Sequence, residues 1–209
     1  MKLAILGATG GTGQELTKQA LALGHTVRVL VRSPEKIETK HERLEVVKAD
    51  MMSEPADELA EKFGPSEVVI SSLGVGTKLG ITRLYSEGTD RIIAAMNKTG
   101  LKRLIVVSSV GTDPTTDEPR WYLWLVRRLL INHYVDLARM EQNLMATDLD
   151  WIIVRPSQLT NGEKRGVYRV APRYIPEGGI RISRADVADF MLKQLEQDTF
   201  VRQTPALAY

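Results

Sequence analysis

Gly7, Gly10, Gly11 and Gly13 follow one another closely, directly after the apolar run Leu3-Ala4-Ile5-Leu6 and before the helical spacing of Leu16, Ala20 and Leu23. Glycines so placed suit phosphate chemistry. Gly7 lets the chain turn sharply out of a strand. Gly10 leaves no Cβ between the backbone and a pyrophosphate, and Gly13 lets the following helix pack close to the strand. The free N–H groups and positive end of that helix then face the phosphates. The spacing is Gly-x-x-Gly-x-x-Gly rather than the Gly-x-Gly-x-x-Gly of many dehydrogenases. Its weight comes from its place between a strand and a helix. A tight turn without a ligand is the plain alternative.

In an open parallel sheet, ligands bind outside the carboxyl ends of the strands, so strand-end residues are the informative ones. The second predicted strand ends about 20 residues after the glycine loop, where a ribose is read. A carboxylate there favours a free 2′-hydroxyl; this chain has Arg32 and Ser33, with Glu35 nearby. An arginine can pair with a 2′-phosphate and stack on adenine, which points to NADP(H). Asp50, with Met51 beside it, ends the third strand, where a carboxylate can accept from an adenine amino group or simply form a turn. The nicotinamide end is expected near Leu73 and Gly74, Ser108 and Ser109, and Arg155, Pro156 and Ser157. Ser109 is the candidate for catalysis, orienting an acceptor or relaying a proton; a serine hydroxyl is a poor free acid, and bulk water is an equal donor.

A further pattern is absent. No tyrosine is followed four residues later by lysine: Tyr85 meets Thr89, Tyr122 meets Val126, Tyr134 meets Ala138, Tyr168 meets Pro172 and Tyr174 meets Gly178. Alcohol oxidation by a Tyr-x-x-x-Lys pair is therefore disfavoured. A reductase needing little acid–base help remains, as does a cofactor-binding protein without chemistry.

The elements that must position these residues alternate regularly. Strands are predicted at 3–6, 26–31, 44–47, 67–72, 103–108 and 151–154, and helices at 15–23, 56–63 and 82–98, with Gly100 as a C-cap. The strands are apolar on both faces, as in a parallel sheet covered by helices on both sides. The expected fold is a Rossmann-like, doubly wound α/β sheet in one domain over 1–209, with a small C-terminal layer on the substrate side. Residues 112–119 read as a polar loop and 120–145 as a long or broken helix. Its run from Trp121 to Val126 is either core or a flap over a ligand. Val167 to Val170 suggests a short strand. Ser183 is placed to cap a helix from Arg184 to about Gln197, with Asp186 completing a capping box. The substrate side is expected to draw mainly on 112–134 and 156–184.

The 209 residues carry a net charge of +2 with 43% hydrophobic residues, enough for a core and no basis for a nucleic-acid surface. The absence of cysteine excludes disulfides and thiolate chemistry. No histidine pair has ligand spacing, so no metal site is expected. No stretch reaches the roughly 18 apolar residues of a membrane span, and glycines interrupt the N-terminal apolar run. A soluble, cytoplasmic protein acting on a small molecule, monomeric or weakly dimeric, is expected.

Gly7-Ala8-Thr9-Gly10-Gly11-Thr12-Gly13, Val31-Arg32, Ser86-Glu87-Gly88-Thr89, Ser108-Ser109 and Asp150-Trp151-Ile152-Ile153-Val154-Arg155-Pro156 resemble the atypical short-chain dehydrogenases/reductases, in their NAD(P)-binding, NmrA-like group. Within it the chain is most similar to the flavin and biliverdin reductases. The resemblance implies NADPH-dependent reduction of flavins or linear tetrapyrroles. It places the glycine loop on Gly7, Gly10 and Gly13 with Thr12 at the phosphates, the 2′-phosphate arginine at Arg32 and the active-site serine at Ser109; Thr9 and Gly11, within the same loop, are further cofactor-binding candidates. Gln158 stands where those reductases carry histidine. A nucleotide-sensing regulator without chemistry is the alternative of a different class.

Overall fold

The computed structural model describes residues 1–76, 80–112 and 120–209; the side chains of 120–129 lie outside that description. Trp121 to Val126 are therefore placed only as helical backbone, and the loop at 113–119 is outside the described residues.

Because β1 (Lys2–Leu6) is apolar in both parities, it is buried on both faces. Leu3 and Ile5 pack on one side of the sheet, Ala4 and Leu6 on the other. The same logic holds for β2 (Thr26–Val31), β4 (Val68–Ser71), β5 (Arg103–Val107) and β6 (Asp150–Pro156), whereas β3 (Leu44–Lys48) is a half-exposed edge. These strands pair in parallel in the order β3-β2-β1-β4-β5-β6. Two short strands, β7 (Gln158–Thr160) and β9 (Arg181–Ser183), pair with each other in a separate ladder. The main sheet ends with β10 (Ala206–Ala208), parallel to β6, and β8 (Arg169–Ala171), antiparallel at the edge. The order reverses between β1 and β4, and that switch point sets where a ligand can lie.

Helices α1 (Gly11–Ala22) and α5 (Arg184–Lys193) cover one face; Leu16, Ala20, Val187 and Met191 meet Leu3 and Ile5. On the other face lie α2 (Ala56–Phe63), α3 (Leu84–Thr99) and α4 (Arg120–Met145), with Leu59, Phe63, Ile92, Met96 and Leu144 against Ala4 and Leu6. Each such fully buried side chain contributes about 1.5–3 kcal/mol.

Several expected boundaries move. α1 starts at Gly11, because the Gln14 amide already bonds the Gly10 carbonyl at 2.8 Å. Gly11 and Gly13 thus belong to the first helical turn itself, with Gly10 at its N-cap. The backbone of α4 is one unbroken helix. The C-terminal short strand is Arg169–Ala171, β10 adds a buried strand, and α5 ends at Lys193. Ser183 Oγ accepts from the Asp186 amide at 3.0 Å as a cap should. The box closes differently, since the Ser183 amide donates to Tyr209 Oη at 3.1 Å. Asp186 instead accepts from the amides of Arg165 (3.0 Å) and Gly166 (2.8 Å) and from the Tyr209 hydroxyl. Burial alone would raise its carboxyl, but these bonds outweigh it and hold the group below the ordinary carboxylate range. The loop ahead of β8 is tied in this way to α5.

Candidate functional site

A cleft of about 1610 Å³ opens along the carboxyl ends of the central strands. That exceeds the roughly 300–1,000 Å³ of a small-molecule pocket and leaves room for a dinucleotide and a second ligand. Each strand end contributes to the lining: Gly7 after β1, Arg32 after β2, Asp50 and Met51 after β3, Leu73 and Gly74 after β4, Ser108 and Ser109 after β5, and Pro156 with Ser157 at β6. Thr9, Gly10, Gly11 and Thr12 line it as well. Among the sequence-predicted residues, Gly13, Ser33 and Arg155 do not.

The glycines act through distinct geometries. Gly7 has φ +78°, and a Cβ there would lie 2.5 Å from the Ser72 carbonyl carbon. A Cβ on Gly13 would lie 2.7 Å from Ala8 Cα and against the Gly7 carbonyl, so α1 can approach β1 only with glycine there. Gly13 thus shapes the loop from behind. The α1 N-terminus has no side-chain cap and no acidic residue in its first turn. Its first amides have no intrahelical acceptors, so they are donors facing the cleft. Arg184, at the start of α5, runs across Gly11, where a Cβ would come within 2.7 Å of its Cδ. Its guanidinium bonds Asn161 beside the loop.

At the β2 end, Arg32 is exposed and forms no ion pair or hydrogen bond with any described residue. Lys36, one short 3-10 turn later, lines the same end of the cleft. Asp50 performs the turn role: its Oδ1 accepts from the Met52 amide at 2.9 Å, and the residue still borders the cleft.

Ser108 and Ser109 diverge. Ser108 Oγ donates to Glu141 Oε1 at 2.6 Å, beneath the cleft floor. Arg155 reaches the same carboxylate through Nε (3.0 Å) and Nη2 (2.6 Å), with the two side chains 8% and 5% exposed. Thr112 Oγ1 lies 3.3 Å from Glu141 Oε1 and bonds the Ser109 carbonyl at 2.8 Å. Ser109 Oγ accepts from the Gly111 amide at 3.2 Å, so its own proton is free to be donated into the cleft. Ser157 also lines the cleft; its hydroxyl is buried and has no hydrogen-bond partner among the described residues. An orphaned buried hydroxyl is costly, at about 1–3 kcal/mol, unless a ligand completes it.

The far wall comes from α3 and α4. Tyr85, His133, Tyr134 and Leu137 line it, facing Leu159, Ile175 and Ile180. The two helices are joined by Asp136. Its carboxylate accepts from the amides of Tyr85 (2.9 Å) and Ser86 (3.3 Å) and from the Ser86 hydroxyl. α3 has no N-cap side chain of its own, so Asp136 supplies the cap from the neighbouring helix. Burial, reinforced by Asp136 and opposed by a bond to Val75, pushes the Tyr85 phenol above its ordinary value and keeps it protonated.

The uncapped glycine turn, the cations Arg32 and Lys36 at the β2 end and the Ser157 hydroxyl, without a partner among the described residues, all fit a nicotinamide dinucleotide. Fold and cleft together define an α/β dinucleotide-binding protein of the Rossmann type. The chain belongs to the NAD(P)H-binding family, whose match spans residues 7–198. An uncharacterised chloroplastic protein of Arabidopsis thaliana is 30% identical over 208 residues, 94% of this chain and 72% of that one. The photosystem II assembly factor Ycf39 of Synechocystis is 24% identical over 212 residues, 98% of this chain and 61% of its own length. A short-chain dehydrogenase/reductase of Veillonella parvula, solved in complex with NADP, superposes with a TM-score of 0.80 at 23% identity. The match covers 100% of this chain and 94% of that one, a likeness of fold. Among the described residues no helix is long and apolar enough to cross a membrane.

Proposed function

We propose that the protein is an NADPH-dependent reductase that passes hydride to a flat, conjugated small-molecule acceptor such as a flavin, a linear tetrapyrrole or a quinone. The observation that supports this reading is one continuous cleft holding a glycine cradle, a pair of cations, a hydroxyl-bearing turn and an aromatic wall. The amides of Gly11 and Thr12 hold the pyrophosphate, while the Gly10 amide is already spent on the Gly7 carbonyl at 3.0 Å. Arg32 and Lys36 hold the 2′-phosphate, Arg32 as a planar fork and Lys36 as a point charge. Asp50 and Met51 border the adenine. Leu73, Gly74, Pro156 and Ser157 border the nicotinamide, and the Ser157 hydroxyl gains a partner there. When bound, the reduced nicotinamide supplies the hydride. Ser109 donates a hydrogen bond toward the reacting groups. Tyr85 and Tyr134 on one side and Leu159, Ile175 and Ile180 on the other exclude water and hold a flat ring system.

Replacing Arg32 and Lys36 together by alanine is expected to weaken NADPH binding about 10- to 100-fold, since charge-assisted bonds contribute about 1.5–3 kcal/mol. NADH binding should hardly change. Fluorescence titration of both cofactors checks this, and an equal loss for both would remove the 2′-phosphate role. Ser109→Ala is expected to lower NADPH-driven turnover while leaving cofactor affinity intact.

The second reading is a cofactor-binding protein that performs no chemistry and serves a protein partner. The name of the Synechocystis relative, an assembly factor, favours it. Tight NADPH binding without turnover of any acceptor class would select it.

A further inference from the structure

We infer that His133 is the proton donor of this site, and that the acceptor it serves is reduced at a carbonyl or quinone oxygen. The inference rests on the reductase reading and narrows its substrate class. His133 is the histidine of the cleft lining. It is only 9% exposed, and its ring nitrogens bond no described residue. A buried imidazole on a cleft wall, with no hydrogen-bond partner among the described residues, is poised to meet a ligand.

Its placement is built from two sides. Its ring meets the edge of Tyr85 at a centroid distance of 6.4 Å and an angle of 61°. The Asp136 cap, one turn along the same helix, fixes α4 against α3 at this level. The neighbouring Tyr134 ring lies directly against Gly111, where a Cβ would come 2.8 Å from its hydroxyl and closer still to the ring. Gly111 is the residue whose amide holds Ser109 Oγ. His133 and Ser109 thus belong to adjoining, mutually packed segments that line one cleft.

This chain lacks the tyrosine–lysine pair, and burial makes the Tyr85 phenol a weaker acid than an ordinary tyrosine. A histidine is the side chain suited to give a proton near neutral pH. The balance is simple. The acceptor gains the hydride that reduced nicotinamide supplies, with its electron pair, at the carbonyl carbon of a simple carbonyl or at a ring carbon conjugated to the C=O of a quinone, where loss of that carbon's proton and protonation of the second oxygen then complete the hydroquinone. The C=O π bond breaks onto oxygen, and that oxygen forms an O–H bond with the proton leaving the His133 ring. Solvent then returns a proton to the imidazole. Ser109 donates a hydrogen bond to the same oxygen as charge develops.

The test is His133→Ala in the full chain, with a benzoquinone as acceptor. NADPH affinity, read by fluorescence titration, should stay within a few-fold of the parent. Quinone turnover should fall about 100-fold or more. Added imidazole should restore part of it, which a structural defect would not permit. Independently of turnover, carbon-13 labelled histidine in the parent protein should show the His133 signal moving on quinone addition to the NADP-loaded form, while His25 and His41, both outside the cleft, stay still. Parental turnover in His133→Ala, loss without imidazole rescue, or an unmoved His133 signal would overturn the inference and leave the reductase reading standing. A parent protein that binds NADPH and reduces no acceptor would overturn both.

Discussion

A Gly13→Val protein is expected to lose NADPH affinity by at least about 100-fold and to unfold at a lower temperature. The reason is steric and local. The added Cβ would fall 2.7 Å from Ala8 Cα and against the Gly7 carbonyl, which are backbone atoms of the β1–α1 turn. Backbone cannot step aside as a side chain can, so the first turn of α1 must lift from β1. Overpacking of this kind costs about 1–3 kcal/mol of stability. The larger effect falls on binding, because the amides at the helix start leave the line along which they meet a pyrophosphate. Gly10→Ala is the instructive control, since a Cβ there meets only the Gly7 carbonyl, at 3.4 Å. It should leave the fold intact and weaken binding alone, because the new methyl would stand between backbone and ligand. Thermal unfolding and fluorescence titration separate the two effects. A Gly13→Val protein with parental affinity would show that α1 does not carry the phosphate site.

Glu141→Ala carries the largest expected loss of stability, about 3–5 kcal/mol. For a chain of this size, at about 2–4 °C per kcal/mol, that lowers Tm by about 6–20 °C. Glu141 receives bonds from Arg155 and from Ser108 at once, in a place where neither charge is solvated. Removing the carboxylate leaves the guanidinium charge buried without its counterion. The double variant Glu141→Leu with Arg155→Met should be more stable than either single change, because both desolvated charges disappear together. The carboxylate also joins α4 to the β5 and β6 ends and, through Thr112, to the Ser109 turn. Glu141→Gln should therefore lower turnover more than cofactor affinity. If the single and double variants unfold alike, the pair is not the clasp described.

The parts of the site legible in the sequence are those where one residue's role depends on its immediate neighbours. A glycine between strand and helix, or a cation just past a strand, keeps its meaning whatever the rest of the chain does. Gly7, Gly10, Arg32 and Ser109, all picked out by such local signals, line the cleft. Ser108 and Arg155 show the limit. Ser108 borders the cleft, yet its hydroxyl turns to the buried Glu141, as the Arg155 guanidinium does, and no local pattern announces that carboxylate. His133, Tyr85 and Tyr134 lie on two helices whose facing depends on Asp136, fifty residues from Ser86, and no local pattern marks that contact. Lys36 was within reach as a second cation after the same strand. β10 was not, because Ala206-Leu207-Ala208 has neither the length nor the β-branched character of a strand and is held by β6 and β8.

The most direct test of the central claim is NADPH oxidation by the purified protein with FMN, biliverdin and a quinone in turn, beside equilibrium titrations of NADPH and NADH. NADPH is expected to bind more tightly than NADH and to drive reduction of at least one of these acceptors, with turnover that falls in Ser109→Ala. Saturable NADPH binding with no oxidation by any acceptor would contradict the reductase and select the non-catalytic reading, and binding of neither cofactor would contradict the site itself.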